Sequence, residues 1–227
     1  MKAIMIIMLL SVMNYAQTYK VVVNIKGSVK ARIGSEEIWV DVKDGTTLKP
    51  NSTIITGEKS SVKIVSDELN FTLKESSAIS VSSIKKMTLD ELLLALAMED
   101  MMNAPRKKEK TNGKSTAVYG TEEKKSNDQQ TVSDDFGIKR LNGAVQLAET
   151  GYKESAVVTA KETFRKYPST KSIAHFRIYF ANILNDHRLY EEAYNEFNSI
   201  KNLDLSEKER SEVEGKLEQI SKKLVNK

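Results

Sequence analysis

The hexapeptide Gly151-Tyr152-Lys153-Glu154-Ser155-Ala156 is answered 37 residues later by Arg188-Leu189-Tyr190-Glu191-Glu192-Ala193, and this pair decides how the C-terminal half is read. From Asp134 the apolar residues recur with a helical period, and breaks at Gly151, Pro168, His187 and Asp204 divide residues 134–227 into five helices. The two hexapeptides then fall at the same place in successive helix pairs, so the half is an internally repeated array of helical hairpins. Ser206-Glu207-Lys208-Glu209 has the spacing of a capping box and opens the last helix, whose strongly charged face suits a terminal cap turned toward water. Two repeats and a cap are few for a free-standing array, so docking onto the rest of the chain, or association with a second copy, is expected to complete its core.

Upstream the period changes from helical to two. Val29, Ala31 and Ile33 alternate with Ser28, Lys30 and Arg32, the pattern of a half-buried strand. Ile38-Trp39-Val40-Asp41-Val42 before the Asp44-Gly45 turn, then Val62/Ile64, Leu69/Phe71/Leu73 and Ile79/Val81, read the same way. Short strands at this spacing predict an all-β sandwich or barrel-like module over residues 17–87. Inside an alternating strand, Trp39 reads as a core anchor whose replacement by Ala costs about 3–5 kcal/mol; the other reading is an exposed platform for a sugar or peptide.

Between the halves, Thr88-Leu89-Asp90-Glu91 is a second capping box. It opens a leucine-rich helix (88–104) with Leu92, Leu93, Leu94, Leu96, Met98, Met101 and Met102, apolar almost all round, which predicts cover on more than one side. That cover comes from its own domain or from a docked partner, for which Leu92 and Leu96 are the candidate contacts. Beyond Pro105 a charged, then Ser-, Asn-, Gln- and Thr-rich stretch reads as a flexible linker to residue 133. Within it Ser115-Thr116-Ala117-Val118-Tyr119-Gly120-Thr121 is expected to add a strand to the β module.

The first residues follow the order of a signal peptide: Lys2, the apolar run Ala3–Met13, then Asn14-Tyr15-Ala16, with cleavage expected after Ala16. The run is about half of the ~20 residues a spanning helix needs, so export without a retained membrane span is expected, to the periplasm or the extracellular space. The 227 residues include no Cys, and hence offer no disulfide, thiolate metal site, Cys nucleophile or lipidated cysteine. A net charge of +4, from 35 basic and 31 acidic residues, points to neither nucleic acid nor an acidic membrane. The basic run Arg106–Lys110 has no interleaved aromatics, so no nucleic-acid partner is expected.

Two resemblances follow. Gly27-x-Val29, the Trp39 segment, Gly45-x-x-Leu48, Ile54-x-Thr56-Gly57, Val62-x-Ile64 and Ser76-Ser77-x-Ile79-x-Val81 together resemble a FecR-type domain, departing from it at Asp67-Glu68-Leu69, where such domains often carry an Asp-Gly turn. That resemblance implies a bacterial extracytoplasmic β module without catalytic residues. The family's relay role across the inner membrane is not carried over, because no second hydrophobic segment is present. The helical half is similar to tetratricopeptide repeats, through Ala144, Gly151, Ala156 and Pro168 in one copy and Ala181, Tyr190, Ala193 and Phe197 in the next, which has neither the turn Gly nor the closing Pro. Such repeats bind peptides on their first helices, which places His175, Ile178, Asn182, Asn185 and Asp186 in the candidate groove.

The sequence carries no phosphate-binding Gly loop, nucleophile elbow, His-Glu-x-x-His site or calcium loop. Its adjacent carboxylates, Glu36/Glu37, Glu99/Asp100 and Glu191/Glu192, point apart, and its two histidines, His175 and His187, are too few for a His metal site. The expectation is therefore a non-enzymatic envelope scaffold of β + α two-domain build. It has no cofactor, metal or catalytic residue, and it binds other envelope proteins or peptides. The alternative is a ligand-sensing or glycan-binding module centred on the β domain.

Overall fold

A computed structural model describes residues 19–21, 25–34, 38–66, 70–103 and 127–225. The expected signal segment, the Ser115–Thr121 strand and the Asp67–Leu69 departure lie outside those residues. Eight short strands form two four-stranded antiparallel sheets: β1 (Tyr19–Val21), β2 (Val29–Arg32), β3 (Val40–Asp41), β4 (Thr47–Leu48), β5 (Thr53–Thr56), β6 (Val62–Val65), β7 (Asn70–Leu73) and β8 (Ala78–Ser80). One sheet runs β4-β1-β6-β7 and the other β3-β2-β5-β8. Alternation does what its period requires. Val29 and Ala31 of β2, Val62 and Ile64 of β6, and Phe71 and Leu73 of β7 are buried, with Ile54 and Leu48, in a common apolar core.

Trp39 departs from its expected place. It precedes the two-residue β3 and is only half-buried. Its ring meets Phe136 edge-on at 5.9 Å, Phe136 in turn meets Tyr167 at 5.8 Å, and the Arg32 guanidinium sits 5.6 Å above the Trp39 ring. It is an aromatic bridge from the β half to the helices rather than a core anchor, and the expected 3–5 kcal/mol for a fully buried ring is too high for it.

Six helices follow: α1 (Leu89–Asn103), α2 (Asn127–Glu149), α3 (Lys153–Lys166), α4 (Ala174–Asp186), α5 (Tyr190–Ile200) and α6 (Glu207–Val225), with a 3-10 turn at Pro168–Ser172. The first seven residues of α2 occupy the end of the span expected to be linker. Both capping boxes form. Thr88 N–H donates to Glu91 Oε2 at 2.7 Å while Glu91 N–H donates to Thr88 Oγ1 at 3.2 Å, and Ser206 with Glu209 repeats the exchange.

The repeat is visible in the backbone. Gly151 has φ +94° and Tyr152 N–H donates to Leu147 O at 2.8 Å; 37 residues on, Arg188 has φ +61° and Leu189 N–H donates to Leu184 O at 3.0 Å. The second copy makes the same left-handed helix ending without the glycine that makes it sterically free. Ala144 and Ala156 of the first copy, like Ala181 and Ala193 of the second, are fully buried, which lets paired helices approach closely.

The two hairpins are tied by a three-helix ion cluster. Lys161 of α3 donates to Glu196 Oε2 of α5 at 2.5 Å, and Arg177 of α4 donates to Glu196 Oε1 through Nε and Nη2 at 2.9 and 2.7 Å. Burial acts to raise the Glu196 carboxyl, but the Lys161 and Arg177 charges and their hydrogen bonds outweigh it and hold it below its ordinary value.

Candidate functional site

The helical half grips the β half through the turn between β7 and β8. Lys74 N–H donates to Gln146 Oε1 at 2.7 Å, Asn142 Nδ2 donates to Ser76 O at 2.8 Å, and Gln146 Nε2 donates to Ser77 Oγ at 2.7 Å. Asn142 and Gln146 lie four residues apart, on one face of α2. Between them Gly143 brings the helix so close that a Cβ there would stand 2.2 Å from the Ala78 carbonyl oxygen. On the β side the turn is braced from within: Thr56 Oγ1 donates to Lys74 O at 2.6 Å and accepts from Ser77 N–H at 3.1 Å. At the other end of the interface Ser155 Oγ of α3 donates to Lys85 O at 2.7 Å. Two of the three α2 bonds go to main-chain groups of the turn, so this helical face reads backbone largely without regard to side chain.

Beyond the turn, the same face of α2 and the facing side of α4 enclose a groove of about 510 Å³, within the ~300–1,000 Å³ of small-ligand and peptide sites. Asn142, Val145, Gln146 and Glu149 line one wall and His175, Phe176 and Tyr179 the other, with Lys74 and Glu75 closing one end. Lys74 Nζ and Glu149 Oε2 pair at 3.2 Å across that end, both largely exposed, which in water holds the mouth only weakly. Burial, and after it the Glu149 carboxylate, push the Tyr179 phenol above its ordinary value. Tyr179 is therefore neutral at physiological pH, a donor and acceptor on an apolar body. His175 is exposed and stacks obliquely on Phe176 with ring centres 4.2 Å apart.

The residues expected to form the groove share one face of α4 but not one fate. His175 lines the groove, and Asp186 is exposed at the far end of the helix. Ile178 and Asn185 are buried, and so are part of the packing rather than of a surface. Asn182 is half-buried; its Nδ2 donates to Glu212 Oε1 of α6 at 2.9 Å. Its Oδ1, like that of Asn185, is buried with no donor among the described residues. Leu92 and Leu96 also belong to the interior: they form the buried stripe of α1 that faces α3, continued by Glu99, which pairs with Arg165 at 3.1 Å. The apolar side of α1 that remains open is the opposite one.

Sequence reasoning missed Tyr179 and Phe176, although Tyr179 falls on the His175–Asn182 stripe at helical spacing. It also missed Asn142, Gly143 and Gln146. Their signal was a polar i, i+4 pair flanking a glycine in the otherwise apolar stretch Leu141–Ala148. A second, smaller cleft of about 140 Å³, beside Glu99, Lys161, Phe164, Arg165, Arg177 and Glu196, is lined mainly by the ion pairs that hold the helices together. Among the described residues no group of His, Asp or Glu is arranged to hold a metal ion, and no helix is long and apolar enough to cross a membrane. Compared with known proteins, the chain matches no family model, no curated protein and no solved structure.

Proposed function

We propose that this chain is an exported, non-enzymatic interaction protein of the cell envelope that holds an extended segment of a partner protein in the groove between α2 and α4. The observation that carries the reading is the β7–β8 turn itself. The polar stripe of α2 already binds one stretch of chain, that turn, through its main-chain groups, and the open remainder of that face continues beside an aromatic wall of His175, Phe176 and Tyr179. Aromatic side chains supply contact area at low entropic cost, and Asn and Gln amides supply main-chain recognition.

In this reading the β half is a FecR-type module and the helical half a pair of tetratricopeptide-like hairpins. The signal-peptide order of residues 1–16 supports export, and the recurrence of the same helix ending at Gly151 and Arg188 supports the repeat. The glycan-binding alternative rests on Trp39 as a platform, and that ring is packed edge-on against Phe136.

The test is fractionation of the cells of origin followed by capture of the chain from the envelope fraction, wild type beside His175→Ala/Tyr179→Ala. The reading expects envelope location and a partner that the double variant loses while its unfolding midpoint stays near wild type. Recovery in the cytosol, or a partner retained equally by both proteins, contradicts it.

A further inference from the structure

Of the ten large apolar side chains exposed among the described residues, six lie on α1: Leu89, Leu93, Leu94, Met98, Met101 and Met102. The helix buries Leu92, Leu96 and Glu99 against α3 and turns Leu94, Met98 and Met101, half a turn away, to the outside. Leu94 is 63% and Met101 77% exposed. At such exposures, six side chains of roughly 150–200 Å² leave on the order of 600 Å² of apolar surface, the upper end of what a monomer ordinarily shows. Leu94, Met98 and Met101 project from the centre of this surface and Leu89, Leu93 and Met102 from its flanks, so a two-fold contact that covers the flanks as well would bury roughly 1,200 Å² in total, the lower end of a specific interface.

The same surface also carries a cavity. Between α1 and α3 a groove of about 240 Å³ is floored by Ala95, Leu96, Met98, Met102 and Val158; one deleted leucine leaves ~150 Å³, so the groove has room for an inserted Leu or Met. The charged groups on its rim are neutralised within the chain, Lys161 by Glu196, Arg165 by Glu99 and Glu162 by Arg140. An apolar side chain can therefore enter without stranding a charge. A patch that holds both the projecting side chains and the hole to receive them is self-complementary, which an isologous contact requires: residue i meets j, and j meets i. Flexible Met side chains on both sides adapt to the fit.

We propose that the outward face of α1 is a homodimer interface, with Leu94 and Met101 of each copy inserted beside α1 of the other. The contact leaves the α2–α4 groove open in both copies, so a dimer presents two peptide sites; the interface itself does not depend on that groove being a binding site.

The test uses the chain isolated from cells expressing the full-length sequence. Sedimentation equilibrium is expected to give twice the monomer mass, and Leu94→Glu/Met101→Glu to weaken the dimer by about 100-fold or more. Because both side chains are exposed, the unfolding midpoint of the dissociated variant should stay close to that of wild-type monomer. Leu94→Gln/Met101→Gln serves as the milder pair should the charges disturb folding. The sequence has no Cys, so oxidation of single variants along the face, Leu94→Cys, Ala97→Cys, Met98→Cys and Met101→Cys, can link only one copy to another. At least one should trap a dimer in high yield and Lys208→Cys, on α6, should not. A monomer at ~100 µM, a dimer that L94E/M101E leaves intact, or retention of the wild type but not L94E/M101E on vesicles of anionic phospholipid in place of self-association overturns the proposal.

Discussion

Replacing Gly143 by Ala tests the junction between the two halves in a way that ordinary helix energetics would get wrong in sign. In a helix interior, Gly→Ala stabilises by about 1 kcal/mol. At Gly143, however, the new Cβ would lie 2.2 Å from Ala78 O and 3.0 Å from Ala78 C, both main-chain atoms. An ordinary C···O contact is ~3.3 Å or more, so helix and strand must part by about 1 Å. The bonds from Asn142 and Gln146, now 2.7–2.8 Å, then stretch past useful range. Each is worth about 1 kcal/mol net, and Ser77 and Gln146 are too buried to recover water in exchange. Losing about 3 kcal/mol and regaining about 1 gives a net destabilisation of about 2 kcal/mol. The assay is urea unfolding at constant m-value, with Gly215→Ala as control: Gly215 is in mid-α6 with nothing near its Cβ position, so that variant should be more stable by about 0.5–1 kcal/mol. A Gly143→Ala protein as stable as wild type, or shifted in the direction of Gly215→Ala, refutes the close docking of α2 on β8.

Glu196→Gln breaks the cluster with Lys161 and Arg177 and should cost about 3 kcal/mol, since two cations lose their buried anion. The Glu196 carboxyl is held below its ordinary value of 4.5 in the folded chain, so its contribution is present above that pH and is lost as pH falls through the lower folded value. The difference between wild type and variant, measured by denaturant titration, should be full at pH 7 and shrink in acid. Arg188→Gly relieves a non-glycine residue at φ +61° and should raise stability by about 1 kcal/mol, read as a higher urea midpoint. Trp39→Ala should cost about 2 kcal/mol, for a half-buried ring in edge contact with Phe136; an unmoved urea midpoint contradicts the aromatic bridge.

Where burial follows a local period, the elements were legible. The alternation of Val62/Ile64 and Phe71/Leu73 marks strands with one face in the core, because side chains alternate with the strand's two-residue period, and the spacing of Thr88 with Glu91 and Ser206 with Glu209 marks helix starts, because those contacts close within one turn. The hairpin repeat was legible because packing two helices closely needs small residues at fixed positions. The junction was not. Asn142 and Gln146 meet partners 66–72 residues away, and nothing in a polar pair around a glycine says which strand it will touch. Helix α1 failed differently. Apolar on nearly every side, it has no phase, so its sequence cannot tell that Leu92 and Leu96 turn inward while Leu94 and Met101 turn out. Trp39 was misplaced because an aromatic in an alternating run reads alike whether the wall it meets is the opposite sheet or a helix from the other half.

The proposed function places another envelope protein on the face of α2 and α4 around Tyr179. A photo-crosslinking amino acid placed at position 179 of the full-length chain in its own cells, with position 208 on α6 as control, tests it most directly. An adduct with an envelope protein is expected from 179, weakened by His175→Ala and absent from 208. Equal labelling from both positions, or no adduct from 179 where the protein is abundant in the envelope, contradicts it.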